Sequence, residues 1–241
     1  MWPFSRRHSI EEIAFLKGAT DFHSHILPGV DDGIRNLTDA QEVLAFFEEA
    51  GMREVWFTPH IMEDFPNQPA NLRARFSDFC ASYTGGLTLH LAAENMMDAL
   101  FEQRFFDGNL LKMGEEGKFL LVETSYFNPP MRLYERLEEI KGQGIFPILA
   151  HPERYMYMSR KDYDRLKAMG VLFQLNIMSL TGIYGQEAAV KARRLLLDGK
   201  YNLYGSDIHR LAPFRKAIQE KVLSTKEADA LLALKERAKI N

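Results

Sequence analysis

The chain has 241 residues, 46% of them hydrophobic and 26% charged, with a formal net charge of -3. That is ordinary globular composition, and β/α barrels of roughly 200–250 residues commonly form one domain; no overall basic field directs the chain to nucleic acid. The single cysteine, Cys80, excludes an internal disulfide and a cysteine-rich metal site, and no apolar run approaches the roughly 18–20 residues that span a bilayer.

The chain opens on Met1–His8, where Arg6 and Arg7 have no apolar stretch behind them and Glu11 and Glu12 follow at once. A signal peptide is therefore not expected, and neither is membrane insertion; the expected location is cytoplasmic. Seven short apolar runs then read as strands: 19–26, 54–60, 87–95, 119–125, 146–151, 172–177 and 202–209. Runs such as Phe119-Leu120-Leu121-Val122 and Pro147-Ile148-Leu149-Ala150 are apolar on both faces, as parallel strands covered by helices require.

Helix signals fill most of the intervals. Thr38 with Gln41 reads as a capping box ahead of Val43, Leu44, Phe46 and Phe47, with Gly51 closing the helix. Cys80 shares an amphipathic stretch with Phe76 and Phe79 and reads as a packing cysteine. The segment 96–117 predicts a helix and an irregular loop, and further helices are expected over 132–141, 162–169, 188–197 and 225–240. Alternating strands and helices imply one α/β domain over residues 1–241 with a parallel sheet, either open or closed into a barrel.

Chemistry collects at the strand ends. The first run carries Asp21, His23 and His25, which strand alternation places on one face. The next four end at His60, Glu94, Glu123 and His151, and the last in Asp207-Ile208-His209; only the sixth ends in an amide, Asn176. In β/α barrels adjacent strand tips converge at that end. Imidazoles and carboxylates so crowded repel one another or go unsatisfied unless cations bind them. An isolated His-x-His, strand-end Glu or Asp-x-His has bland explanations, but their conjunction over six strands points to a metal site. Imidazole and carboxylate without thiolate suit Mn, Fe or Zn, and the carboxylate-rich mixture favours Mn or Fe.

These residues, in this order, resemble the polymerase and histidinol phosphatase superfamily. The match is nearest to bacterial manganese-dependent protein-tyrosine phosphatases associated with capsule and exopolysaccharide production. It runs through DFHSHILPGVDDG (21–33), Thr58-Pro59-His60, AAEN (92–95), VETSYFNPP (122–130), AHPERY (150–155), QLNIMSLTGIYG (174–185) and GSDIH (205–209). The resemblance implies a distorted seven-stranded parallel β/α barrel with three divalent ions, expected to be Mn, at the C-terminal ends of the strands. By that analogy His23, His25, Glu94 and Asp207 hold one ion. Glu94, Glu123 and His151 hold a second, and Asp32, His60 and His209 a third; locally, Asp32 reads equally as a turn residue before Gly33. Residues 1–18 form an extension before the first strand, in which Ile10, Ile13, Phe15 and Leu16 suggest a short helix closing the barrel floor.

Three divalent ions outweigh four carboxylates, which suits a phosphate monoester. Arg154 is the candidate phosphate clamp, because guanidinium matches phosphate oxygens bidentately; an ion pair with a neighbouring acid is its other reading. The family carries a further arginine downstream, for which Arg210 and Arg215 compete. Tyr126, Phe127 and Tyr155 lie beside ligand positions and could line an aromatic slot or pack in the core. A phosphotyrosine protein, such as the tail of a bacterial tyrosine kinase, is the implied partner. A histidinol-phosphate or broad small-molecule phosphatase is the nearest alternative, and a non-catalytic metal-stabilised regulator of polysaccharide synthesis the other. Cysteine-dependent phosphate chemistry is excluded: a Cys-x5-Arg loop is required, and six positions after Cys80 stands Gly86.

Overall fold

The computed structural model describes residues 6–114 and 116–240, so residues 1–5 of the expected extension lie outside the described residues. In chain order the strands are β1 (Arg7–His8), β2 (Thr20–Ser24), β3 (Glu54–Phe57), β4 (His60–Ile61), β5 (Thr88–Leu91), β6 (Glu94–Met96), β7 (Phe119–Glu123), β8 (Phe146–Ala150), β9 (Leu172–Asn176), β10 (Leu203–Gly205) and β11 (Leu223–Ser224). The helices are α1 (Leu37–Glu49), α2 (Pro69–Ser82), α3 (Phe101–Phe106), α4 (Leu133–Gly142), α5 (Arg160–Ala168), α6 (Gln186–Leu197), α7 (Leu211–Gln219) and α8 (Thr225–Arg237).

The result is an α/β fold on two parallel sheets. One runs β10-β9-β8-β7-β6-β4, the other β2-β3-β5, and a short antiparallel pair joins β1 to β11. Every one of the seven expected runs supplies a strand. The second and third are each divided, at Thr58-Pro59 and at Ala92-Ala93. Pro59 has no N–H to give a ladder, yet Thr58 N still donates to Ser24 O at 2.8 Å and Ala92 N to Phe57 O at 2.9 Å. The division passes each strand from one sheet to the other just before its polar end residue, His60 or Glu94.

The core lies between strands and helices. Leu120, Leu121, Val122, Ile148, Leu149, Phe173 and Leu175 are fully buried, consistent with strands covered on both faces. On the helix side α1 contributes Val43, Leu44 and Phe47, and α7 contributes Phe214 and Ile218.

Two local expectations need correction. The cap of α1 is Asn36, whose side-chain oxygen accepts from Asp39 N at 2.9 Å; Thr38 already lies inside the helix. Asn is as good a cap as Thr, and placing it two residues earlier adds half a turn. Asn36→Ala is expected to lower stability by about 1 kcal/mol, measured by urea unfolding, with turnover unchanged. The stretch around Ile10–Leu16 is a run of turns, not a helix. Ala14 adopts φ +50, and Phe15 N reaches back to Ile10 O at 3.2 Å, breaking the helical ladder. Its packing role stands, because Ile10 and Phe15 are fully buried. Helix α7 was not expected, although Pro213 in its first turn and Phe214, Ala217 and Ile218 on one face are ordinary helix signals.

Candidate metal centre

The C-terminal ends of the strands carry the chemistry. β2 delivers His23 and leads to His25; β4 opens on His60, β6 on Glu94, and β7 closes on Glu123. His151 follows β8 directly, and Asp207 and His209 follow β10. His151 and Asp207 both hold left-handed backbone, at φ +32 and +51. Such conformations cost about 1–3 kcal/mol in non-glycine residues and persist where surroundings impose them.

All the candidate ligands converge. Three groups of ligand atoms each lie within 4.8 Å of one another: His23, His25, Glu94 and Asp207; His60, Glu94 and Glu123; and His25, Asp32, His60 and His209. The first is the set expected by analogy. In the second His60 stands with the two glutamates, while His151 Nε2 lies 2.8 Å from Glu94 Oε1 and 3.9 Å from Glu123 Oε2. In the third His25 joins the expected trio. Asp21, on the same strand face as His23, enters none of them. It braces the sheet edge instead, accepting from His23 N at 3.2 Å and from Ser206 N at 2.8 Å, and burial lifts its carboxyl to about 6.

The imidazoles are oriented for cations. His23 Nδ1 lies 3.0 Å from Gln174 Oε1, and His25 Nδ1 lies 2.8 Å from Asp31 Oδ2. Both partners are acceptors, so in the neutral, metal-binding form both Nδ1 atoms carry the proton and both Nε2 atoms present lone pairs. Those two Nε2 atoms face each other at 3.0 Å. Two lone pairs at that distance need a positive charge between them. His60 Nδ1 and Glu123 Oε1 meet at 2.9 Å, yet neither completes a hydrogen bond. Burial opposes charge on His23, but Glu94 and Asp207 outweigh it and hold the imidazole at about 9. The same carboxylates are pulled well below the usual range despite burial, chiefly by His23. The cluster thus demands cationic charge that only protons or metal ions can provide, and the donor set fits divalent ions.

Sequence reasoning missed several supporting groups. Asp31, one residue before the candidate ligand Asp32, holds His25 and also accepts from His60 N at 3.0 Å and Gly33 N at 2.9 Å. Asn176, the strand-end amide, donates to Asp207 Oδ2 at 2.7 Å. Buried Glu153 accepts from Asn176 N at 3.0 Å and from Tyr201 Oη at 2.9 Å, fixing the tip of β9.

A cleft of about 370 Å³ opens onto the cluster. Arg154 lies in its wall, donating from Nη1 to Asp207 Oδ2 at 3.0 Å. Its guanidinium is sandwiched, with Cζ 4.4 Å from the ring centre of Tyr126 and 4.1 Å from that of Tyr184. Arg210 also lines the cleft, tied through Nη1 to the carbonyls of Asp32 and His209. Arg215 instead lies over Phe46 at 4.6 Å, on the α1 side, and is not among the lining residues. Of the three aromatic candidates, Tyr126 lines the cleft, Tyr155 is fully buried and Phe127 is 69% exposed. Cys80 sits on α2, remote from these residues in the sequence and absent from the cleft lining.

Comparison with known proteins agrees with this architecture. The family described as "Capsular polysaccharide synthesis, CpsB/CapC" matches residues 19–227. The tyrosine-protein phosphatase YwqE of Bacillus subtilis is 26% identical over 197 residues, covering 79% of this chain and 77% of that one. The putative tyrosine-protein phosphatase CapC of Staphylococcus aureus is 24% identical over 199 residues, covering 79% and 77%. The tyrosine-protein phosphatase CpsB of Streptococcus pneumoniae is 25% identical over 204 residues, covering 79% and 83%. A solved structure from work on YwqE and CpsB, described as unique metal-dependent tyrosine phosphatases, superposes with a TM-score of 0.76 at 24% identity. It covers 92% of this chain and 96% of its own, a likeness of fold.

Proposed function

The chain belongs to the CpsB/CapC family of capsular polysaccharide synthesis, and from that premise we propose that it is a metal-dependent protein-tyrosine phosphatase. The observation that carries this reading is the pair of Nε2 lone pairs of His23 and His25 facing each other at 3.0 Å, among buried carboxylates and under a cleft walled by Arg154. His23, His25, Glu94 and Asp207 would hold one ion. Glu94, Glu123 and His60 or His151 would hold a second, and Asp32, His60 and His209 a third. Manganese is the ion we favour, since the donors are hard oxygens and imidazoles without thiolate. Bound there, such ions polarise phosphoryl oxygens and make water available as a nucleophile near neutral pH.

The protein's own groups do the positioning. Arg154 has four N–H donors beyond the one given to Asp207, enough to hold two phosphate oxygens in its fork. Arg210 lines the same opening. Met178, Ile183 and Pro213 form the apolar part of the wall and offer a surface to an aromatic leaving group. A phenolate leaves with a pKa of about 10, so the chemistry asks for little acid assistance.

Several finer readings belong to the same proposal. Asp207 N donates to His23 O at 2.8 Å and His25 N to Ile208 O at 3.2 Å, while Glu94 N reaches Thr58 O at 3.2 Å. These bonds support joining the two sheets into one distorted seven-stranded barrel, and the whole of 1–241 into one domain. The substrate we favour is the phosphotyrosine tail of a bacterial tyrosine kinase, met in the cytoplasm. No helix among the described residues is long and apolar enough to cross a membrane.

The test uses metal-stripped protein offered a phosphotyrosine peptide, a phosphoserine peptide and histidinol phosphate, with and without manganese. Manganese-dependent release of phosphate selectively from phosphotyrosine is expected. Turnover of histidinol phosphate alone would move the substrate, and no turnover with any divalent ion would sink the reading. Asp31→Asn carries a separate expectation. It weakens the acceptor that fixes the His25 tautomer, so metal affinity should fall about 10–100-fold by competition against a chelator, with the fold intact by circular dichroism.

A further inference from the structure

Between the short 3₁₀ segment Ile177–Thr181 and α6 lies a tight turn. Gly182 and Gly185 hold φ +85 and +94, and Gly185 N donates to Gly182 O at 2.9 Å. Left-handed backbone at both ends is open to glycine at no steric cost. Of its two middle side chains, Tyr184 lies against the Arg154 guanidinium, while Ile183 stands 48% exposed.

Ile183 and Pro213 wall two cavities at once. One is the metal cleft; the other is a groove of about 590 Å³ between the turn and α7, lined further by Thr181, Ala212, Ala217 and, at its margins, Lys216 and Glu220. We propose that this groove receives the substrate polypeptide beside the phosphotyrosine, seating an apolar side chain from within a few residues of it against Ile183 and Pro213. The inference rests on the phosphatase reading. A phosphotyrosine in a polypeptide must leave the cleft with chain attached, and the shared wall gives that chain a continuous path. Lys216 and Glu220 carry opposite charges, so the groove selects for apolar shape over charge. The other depression near the cluster, about 420 Å³ between Met62 and Pro130, shares no lining residue with the cleft and is edged by Glu63, Asp64 and Asp98.

The test compares manganese-loaded wild type with Ala212→Glu and Lys216→Glu on three substrates. These are p-nitrophenyl phosphate and two phosphotyrosine peptides that differ only in carrying leucine or serine beside the phosphotyrosine. Ala212 is exposed in the first turn of α7, where an acidic side chain suits the helix. Wild type should favour the leucine peptide roughly tenfold in kcat/KM, through KM, as expected for partial burial of one aliphatic side chain. Ala212→Glu should erase that preference and leave p-nitrophenyl phosphate turnover unchanged, while Lys216→Glu should keep the preference. Equal treatment of the two peptides by wild type overturns the proposal, as does a parallel loss on all three substrates. A change in oligomeric state with the preference intact would overturn it too, giving the groove to a second copy of the chain. If wild type hydrolyses p-nitrophenyl phosphate but neither peptide, the phosphotyrosine reading itself falls.

Discussion

Glu94→Gln should lower kcat/KM on a phosphotyrosine peptide by at least about 10³-fold, the scale expected when a principal source of transition-state charge stabilisation is lost. Glu94 is the carboxylate common to two of the three ligand groups. Its Oε2 lies 3.1 Å from His23 Nε2, 3.3 Å from His25 Nε2 and 3.3 Å from His60 Nδ1, while Oε1 lies 2.8 Å from His151 Nε2. The surrounding imidazoles hold its carboxyl well below the usual range against the effect of burial. Glutamine keeps the shape but replaces an anion shared by two candidate ligand groups with one neutral oxygen and an N–H2 that cannot bind a cation. Metal content by elemental analysis should fall by more than one ion per chain. A variant with full metal content and full turnover would refute the bridging role.

What the sequence could and could not reveal follows from the range of each signal. Strand ends were legible because period-two alternation and apolar runs are local, and parallel strands bring their C-terminal tips to one place whatever the loops do. That is why His23, His25, His60, Glu94, Glu123, His151, Asp207 and His209 emerge from spacing alone. Asp32 came only from the resemblance, and its neighbour Asp31 was passed over. In Val30-Asp31-Asp32-Gly33 both carboxylates are equivalent turn residues, and the backbone alone decides that one turns to His25 and the other to His60 and His209. Arg210 and Arg215 were inseparable without α7. Arg210 precedes that helix, whereas Arg215 lies on it and is carried round onto Phe46. Tyr184 gave no signal either, since its contact with Arg154 joins residues thirty positions apart. Where the two sheets adjoin, as at the Ser24–Ile208 bridge, the contact joins residues far apart in the sequence, which no local pattern encodes.

Arg154→Lys should cost about 10²-fold in kcat/KM, mostly in kcat, with metal content unchanged. Arg154 is largely buried, and the neighbouring Asp207 sustains its charge against burial. Lysine keeps a positive charge but loses the planar fork that matches two phosphate oxygens and the flat face that fills the space between Tyr126 and Tyr184. The ring faces matter separately. A desolvated cation–π contact is worth about 0.5–2 kcal/mol, so Tyr184→Leu should lose a few-fold to about 30-fold, and Tyr184→Phe, which keeps the ring, should stay near wild type. The competing account makes Arg154 only the partner that neutralises Asp207. That account predicts weaker metal binding in Arg154→Lys and normal turnover per bound ion. Measuring metal content and kcat on the same preparations separates the two. Full occupancy with slow turnover places the guanidinium on the substrate phosphate, whereas depleted metal with normal turnover per ion assigns it to the ligand Asp207 and leaves Arg210 to meet the phosphate.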